Sequence, residues 1–118
     1  MDKKDQIALL KINGYIDAAI GFCKNISSYQ EFESDLKTSM ASVLALMQIG
    51  ELAKNVLSDE IKQRLNCIPW NQIYGLRNRI VHGYDDINYE TVWDTIKNDL
   101  PNLKDQISVA LKDIQTDE

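Results

Sequence analysis

Apolar residues recur every three to four positions along most of this chain, and no stretch alternates convincingly between apolar and polar. That period is helical. The first predicted helix, about 2–25, places Leu9, Ile12, Ile16, Ala19, Cys23 and Ile26 at helical spacing, and Asn25, Ser27 and Ser28 make a turn after it. The second, about 29–57, gathers Phe32, Leu36, Met40, Val43, Leu44, Met47 and Leu52 on one side. Its middle, 40–50, is apolar nearly all round, which predicts burial on more than one side. Ala41, Ser42, Ala45 and Gly50 would let a neighbouring helix approach closely. Ser58 reads as an N-cap, with Asp59 and Glu60 in the first turn of a short helix to about Leu65. After a connector at 66–68, Pro69 suits the first turn of a helix carrying Trp70, Ile73, Leu76 or Arg77, and Ile80. Gly83 is its expected stop. Residues 84–88 form a loop. A last helix is expected from about Asn88 to Ile114, kinked or interrupted at Pro101, with residues 115–118 frayed. The expected fold is all-α: an antiparallel bundle of four to five helices, one domain over 1–118.

Length and charge narrow the function. At 118 residues the chain is near the commonest domain size and needs no staple. Thirteen Lys and Arg stand against eighteen Asp and Glu, a net charge of −5. A general nucleic-acid coat would be basic, so any contact with RNA is expected to be local. Cys23 and Cys67 form no metal-spaced cluster and read as reduced thiols of a cytoplasmic protein. No apolar run approaches the ~20 residues of a membrane span.

The stretch with chemical content is Arg77-Asn78-Arg79-Ile80-Val81-His82, followed by Gly83 and Tyr84. His82 is the single histidine of the chain. Histidine is the one side chain whose ordinary pKa, ~6.5, suits proton transfer near neutrality. Arginine does not titrate there, but its planar donor fork grips phosphate. A proton-transfer group beside two phosphate-binding groups points to phosphodiester chemistry. The plainer reading makes His82 a helix cap and the arginines solvated surface. At ~100° per residue, Arg79 and His82 share a helix face while Arg77 and His82 diverge by ~140°. Either Arg77 reaches around, or another surface completes the site.

The motif resembles the signature of the HEPN superfamily, an arginine and a histidine separated by four to six residues, with a polar Asn78 after Arg77. Tyr84, two positions past the histidine, resembles the HepT toxin branch. So do I-G-E-L-A-K at 49–54, P-W-N-Q-I-Y-G-L-R-N at 69–78, Y-E-T-V-W-D-T-I at 89–96 and D-L-P-N-L at 99–103. The resemblance covers nearly the whole chain.

It implies a ribonuclease toxin of a toxin–antitoxin pair that needs no metal or other cofactor. RNA would be cut by attack of the 2′-hydroxyl on its own phosphate. His82 would be the general acid or base and Arg77 the phosphate ligand. Asn78 would orient the phosphate or Arg77, and Arg79 would assist in phosphate binding or pair across an interface. It implies an MntA-type nucleotidyltransferase antitoxin as partner and Tyr84 as the adenylylation acceptor. One histidine per chain and the divergence of Arg77 from His82 point to a homodimer. The alternative is a non-catalytic helical partner or substrate-binding subunit of a nucleotidyltransferase. Glu51 reads either as a buried partner for a motif-helix arginine or as a face-edge carboxylate. Trp70 and Trp93 are expected in the core. Asp85 and Asp86, without matching ligands, do not make a metal site.

Overall fold

A computed structural model describes residues 1–83 and 86–116, with side chains through residue 113. The architecture is the expected all-α bundle. Its long members are α1 (Lys3–Phe22), α3 (Leu36–Asn55), α5 (Trp70–His82) and a last helix built from α6 (Tyr89–Asp94), a π-helical turn (Thr95–Asp99) and α7 (Leu100–Thr116). The short helices α2 (Tyr29–Ser34) and α4 (Asp59–Arg64) join them. α3 is central: it packs against α1 on one side and α5 on the other, while α7 closes on α1. Leu9, Ile12 and Ile16 of α1, Leu46 and Ile49 of α3, and Ile96 and Ile107 of the last helix share one buried cluster. Trp70 is buried and donates its indole N–H to the carbonyls of Lys62 and Leu65 at 3.2 and 3.1 Å. Trp93 packs against Phe32, ring centroids 5.2 Å apart.

The caps explain most boundaries. Ser58 caps α4 as expected, accepting from the Ile61 N–H at 3.3 Å. Its own N–H and hydroxyl go to Asp5, a buried carboxylate of α1, at 2.9 and 2.6 Å. That pair fixes the start of α4 to the start of α1. Gly83 ends α5, its N–H bonded to the Arg79 carbonyl at 3.0 Å. Asn88 caps α6 through the Thr91 N–H at 3.2 Å.

Two expectations are corrected, on the second helix and on Pro69. The second predicted helix is two helices, broken at Asp35. Its carboxylate binds both the N–H and the hydroxyl of Thr38, at 3.1 and 2.9 Å, and so ends α2 and opens α3 at one residue. Those bonds, the backbone one foremost, hold the Asp35 carboxyl below its ordinary value. Pro69 is the N-cap of α5 and not its first helical residue. Pro101 interrupts the regular α-helix as expected: a π-helical turn at Thr95–Asp99 precedes it, and the helix then continues to Thr116. Proline clashes with the carbonyl four residues back. Here the preceding turn is widened, with the Leu100 N–H reaching the Thr95 carbonyl, an adjustment that absorbs such a strain. The middle of α3 is buried on more than one side as expected, against α1 and α5, but part of its apolar surface stays uncovered. Leu36, Met40 and Leu44 form an exposed apolar stripe, 65, 62 and 53% accessible.

Candidate functional site

The site begins with a glycine. Gly50 of α3 is buried, and a Cβ there would collide with the Cβ and Cγ of Arg77 and lie 3.4 Å from its Cα. Only the missing side chain lets α5 lie this close to α3. The next residue, Glu51, then meets the guanidinium side-on: Arg77 Nε donates to Glu51 Oε1 at 2.6 Å and Nη2 donates to the same oxygen. Asn55 Nδ2 donates to the other carboxylate oxygen at 2.7 Å. The Arg77 contact, and after it the Asn55 bond, holds the Glu51 carboxyl below the ordinary glutamate value. Of the two readings of Glu51, the arginine partner is the one found, but the pair is half-buried. Arg77 is 15% and Glu51 34% exposed in their side chains.

Asn78 completes the grip. Its Oδ1 accepts from Arg77 Nη1 at 3.0 Å and from Lys54 Nζ at 3.3 Å. Arginine has five N–H donors. Three are engaged here, leaving one on each Nη. A pair of N–H groups, one from each Nη, is what an end-on fork uses to bind an oxyanion.

His82 is exposed in the last turn of α5, and its side chain hydrogen-bonds to no other described residue. Arg79 is exposed, with a single 3.4 Å bond from Nε to the Gly75 carbonyl and no carboxylate partner among the described residues. Arg77 faces α3 while His82 stands in solvent, so the expected divergence holds on one chain. The two arginines, two residues apart, are in opposite situations: one locked, one loose. Tyr84, expected as a modification acceptor, and Asp85 lie outside the described residues.

Sequence reasoning missed Lys54 and Lys62. Lys54 stands three residues after Glu51, on the same face of α3 by helical spacing. Its partner Asn78, however, lies 24 positions away and is visible only in the fold. Lys62 places its ammonium 5.2 Å from the centre of the Tyr74 ring and donates to the Ala53 carbonyl at 3.1 Å. Among the described residues no three His, Cys, Asp or Glu side chains converge. Among the described residues no helix is long and apolar enough to cross a membrane.

The model of the family described as ribonuclease HepT-like matches residues 12–110, from the middle of α1 to α7 and across the whole of this site. The chain belongs to the ribonuclease HepT-like family. Similarity to individual members runs nearly end to end. "Putative RNase MJ1216" of Methanocaldococcus jannaschii is 35% identical over 116 residues, 98% of this chain and 94% of that protein. "Putative RNase MJ0127" of the same organism is 36% identical over the same shares. "Probable ribonuclease HepT" of Thermococcus cleftensis is 36% identical over 76 residues, 64% of this HepT-like chain and 68% of its relative. No solved structure matches. Gly50, Glu51, Lys54, Arg77, Asn78 and His82 of this HepT-like chain all fall inside the matched segment.

Proposed function

We propose that this HepT-like protein is an endoribonuclease toxin that cleaves RNA through Arg77, Asn78 and His82 without a metal ion. The observation that carries the reading is the guanidinium of Arg77, held by Glu51 and Asn78 with one N–H on each Nη still open, on the helix that presents an exposed histidine. A base takes the 2′-hydroxyl proton and the 2′-oxygen attacks phosphorus. The bond to the 5′-oxygen breaks, and an acid gives that oxygen a proton. The products are a 2′,3′-cyclic phosphate and a 5′-hydroxyl. His82 supplies the proton transfer, a contribution of roughly 10²–10⁴-fold. Arg77 stabilises the charge that develops on the phosphoryl oxygens. Arg79 and Lys54 add positive charge beside them.

One histidine cannot be base and acid at once. The reading therefore takes the protein as a two-fold dimer that brings two motifs together. Support comes from the exposed stripe of Leu36, Met40 and Leu44 on α3. It borders a groove of about 270 Å³ lined by Met40, Val43, Leu44 and Met47 of α3 and Ile80 and Val81 of α5. Burying that groove against a second copy sets the residues next to His82 at the interface.

The proposed partner is an MntA-type nucleotidyltransferase antitoxin, with Tyr84 as its adenylylation acceptor. A nucleotide there would stand two residues from His82 and repel RNA phosphate. Intact-mass measurement after co-expression with such an enzyme tests this. Tyr84→Phe should gain no nucleotide and remain toxic. Efficient neutralisation of that variant would point instead to simple complex formation.

One observation favours a second reading, a non-catalytic helical partner of a nucleotidyltransferase: the charge of Arg77 is already matched by Glu51. RNA cleavage decides between them. His82→Ala should lose at least about 10²-fold in rate with its helical content intact. Arg77→Ala should lose more than Arg79→Ala, and Arg77→Lys should not restore full activity, because lysine lacks the fork. Full activity in His82→Ala would sink the reading.

A further inference from the structure

α5 carries more than the motif on its outer side. At ~100° per residue, Asn71, Tyr74, Asn78 and His82 fall within one ~80° sector of this regular helix. Along the axis, ~1.5 Å per residue puts Tyr74 ~12 Å from His82. Two lysines from other helices reach this strip. Lys54 meets it at Asn78 and Lys62 at Tyr74.

At the Tyr74 end the strip opens into a cleft of about 590 Å³ between α4 and the start of α5. Lys62, Gln63, Asn66, Asn71, Gln72 and Tyr74 line it, with Trp70 and Pro69 at its back. Asp59, the one carboxylate of the lining, is 97% exposed and lies 3.9 Å from the Lys62 ammonium. Four carboxamides in one cleft offer donors and acceptors together, the pattern that reads the edge of a nucleobase. A tyrosine ring and an ammonium are the parts that hold unpaired bases and their phosphates. The volume suits one such group. Trp70 is committed to its two carbonyl bonds and serves as wall.

We infer that this cleft is a base-recognition subsite for single-stranded RNA. It receives an unpaired nucleotide upstream or downstream of the scissile phosphate, while the exposed Lys54 follows the backbone between and Lys62, held by the Ala53 carbonyl, keeps its charge beside the Tyr74 ring. The inference rests on the ribonuclease reading and deepens it: His82 and Arg77 cut, and the cleft selects where. Single-stranded RNA fits better than a duplex, because amide groups reach base edges only where bases are splayed out.

Asn66 and Asn71 are exposed, so replacing them leaves the fold intact. The test measures binding of short single-stranded RNAs of varied sequence to the His82→Ala protein, alone and with Asn66→Ala or Asn71→Ala added. In parallel, cleavage sites are mapped for the proteins that retain His82. The cleft variants should bind about tenfold more weakly and lose base preference. With His82 present they should raise KM more than they lower kcat, and their cleavage pattern should relax. Cleavage with unchanged sites and unchanged affinity would overturn the subsite and leave the ribonuclease intact. ATP displacing RNA from the cleft without any change in cleavage pattern would reassign it to a free nucleotide and overturn the inference. Absence of cleavage by the parent protein would overturn the ribonuclease reading and the subsite with it.

Discussion

α3 meets its two neighbours in different ways. Toward α1 it offers shape. Leu46 and Ile49 join Leu9, Ile12 and Ile16 in the buried cluster, and Ser42 Oγ lies 3.7 Å from the buried Cys23 Sγ. Burial pushes the Cys23 thiol up, with the Ser42 contact a smaller opposing effect, so this cysteine is packing material. Toward α5 the same helix offers Gly50, Glu51 and Lys54: a gap, a carboxylate and a cation. The first contact buries apolar surface and supplies stability. The second gives up a side chain at Gly50 and spends polar groups on holding Arg77. The difference separates what holds the bundle from what arms it, and substitutions on the two sides should therefore separate stability from activity.

The largest effect on stability is expected on the α1 side. Ile12→Ala removes a 1%-exposed side chain and should cost about 2–5 kcal/mol in urea unfolding, with cleavage per folded molecule unchanged. Gly50→Ala acts on the other side. Forcing a methyl into the Arg77 contact should cost about 1–3 kcal/mol, and displacing the guanidinium should lower cleavage on the order of 10²-fold. Gly50→Ala with full activity would break the comparison. Ser58→Ala should cost about 1 kcal/mol as a lost cap, and more if Asp5 stays buried with its partner gone. It lies away from Arg77 and His82, so the cleavage rate should hold. The smallest effect concerns pH. Glu51 has a depressed carboxyl in the folded protein, so its pairing stabilises fully above the ordinary glutamate value. That contribution is lost as pH falls through the depressed value. Glu51→Gln should flatten this part of the acid unfolding curve; identical acid profiles for the two proteins would mean the pair does nothing for stability.

Local chemistry made much of this fold legible. Ser58, Gly83 and Asn88 act where their capping preferences put them, because a cap needs only its own few neighbours. Gly50 was recognisable as a small residue that invites a helix. Asp35 was missed because the apolar spacing of Phe32, Leu36 and Met40 runs through it without a break, and a competing cap does not disturb that period. Pro101 was legible as an interruption, but the form it takes, a widened turn before the proline, leaves no mark in the hydrophobic pattern. The motif itself was readable, since Arg77, Asn78 and His82 lie within six residues. Its surroundings were only half legible: Glu51 had the arginine pairing as one of its two readings, while the contact of Lys54 was not foreseen, and the two lie 26 and 24 residues from their partners in α5. Only the packing of α3 on α5 brings them there. The apolar excess of α3 was legible, but periodicity reports which face is apolar and not whether the chain itself covers it, so the exposure of Leu36, Met40 and Leu44 shows only in the fold.

The central claim is that the motif on α5 breaks RNA by internal attack, with its own side chains supplying the proton transfer and the charge stabilisation. The most direct measurement is the chemistry of the cut ends, made with purified protein in the presence of a chelator. The account predicts fragments ending in 2′,3′-cyclic phosphate and beginning with 5′-hydroxyl, at a rate the chelator does not change, and their disappearance in His82→Ala. Fragments beginning with 5′-phosphate, or cleavage that stops when the chelator is added, would contradict it.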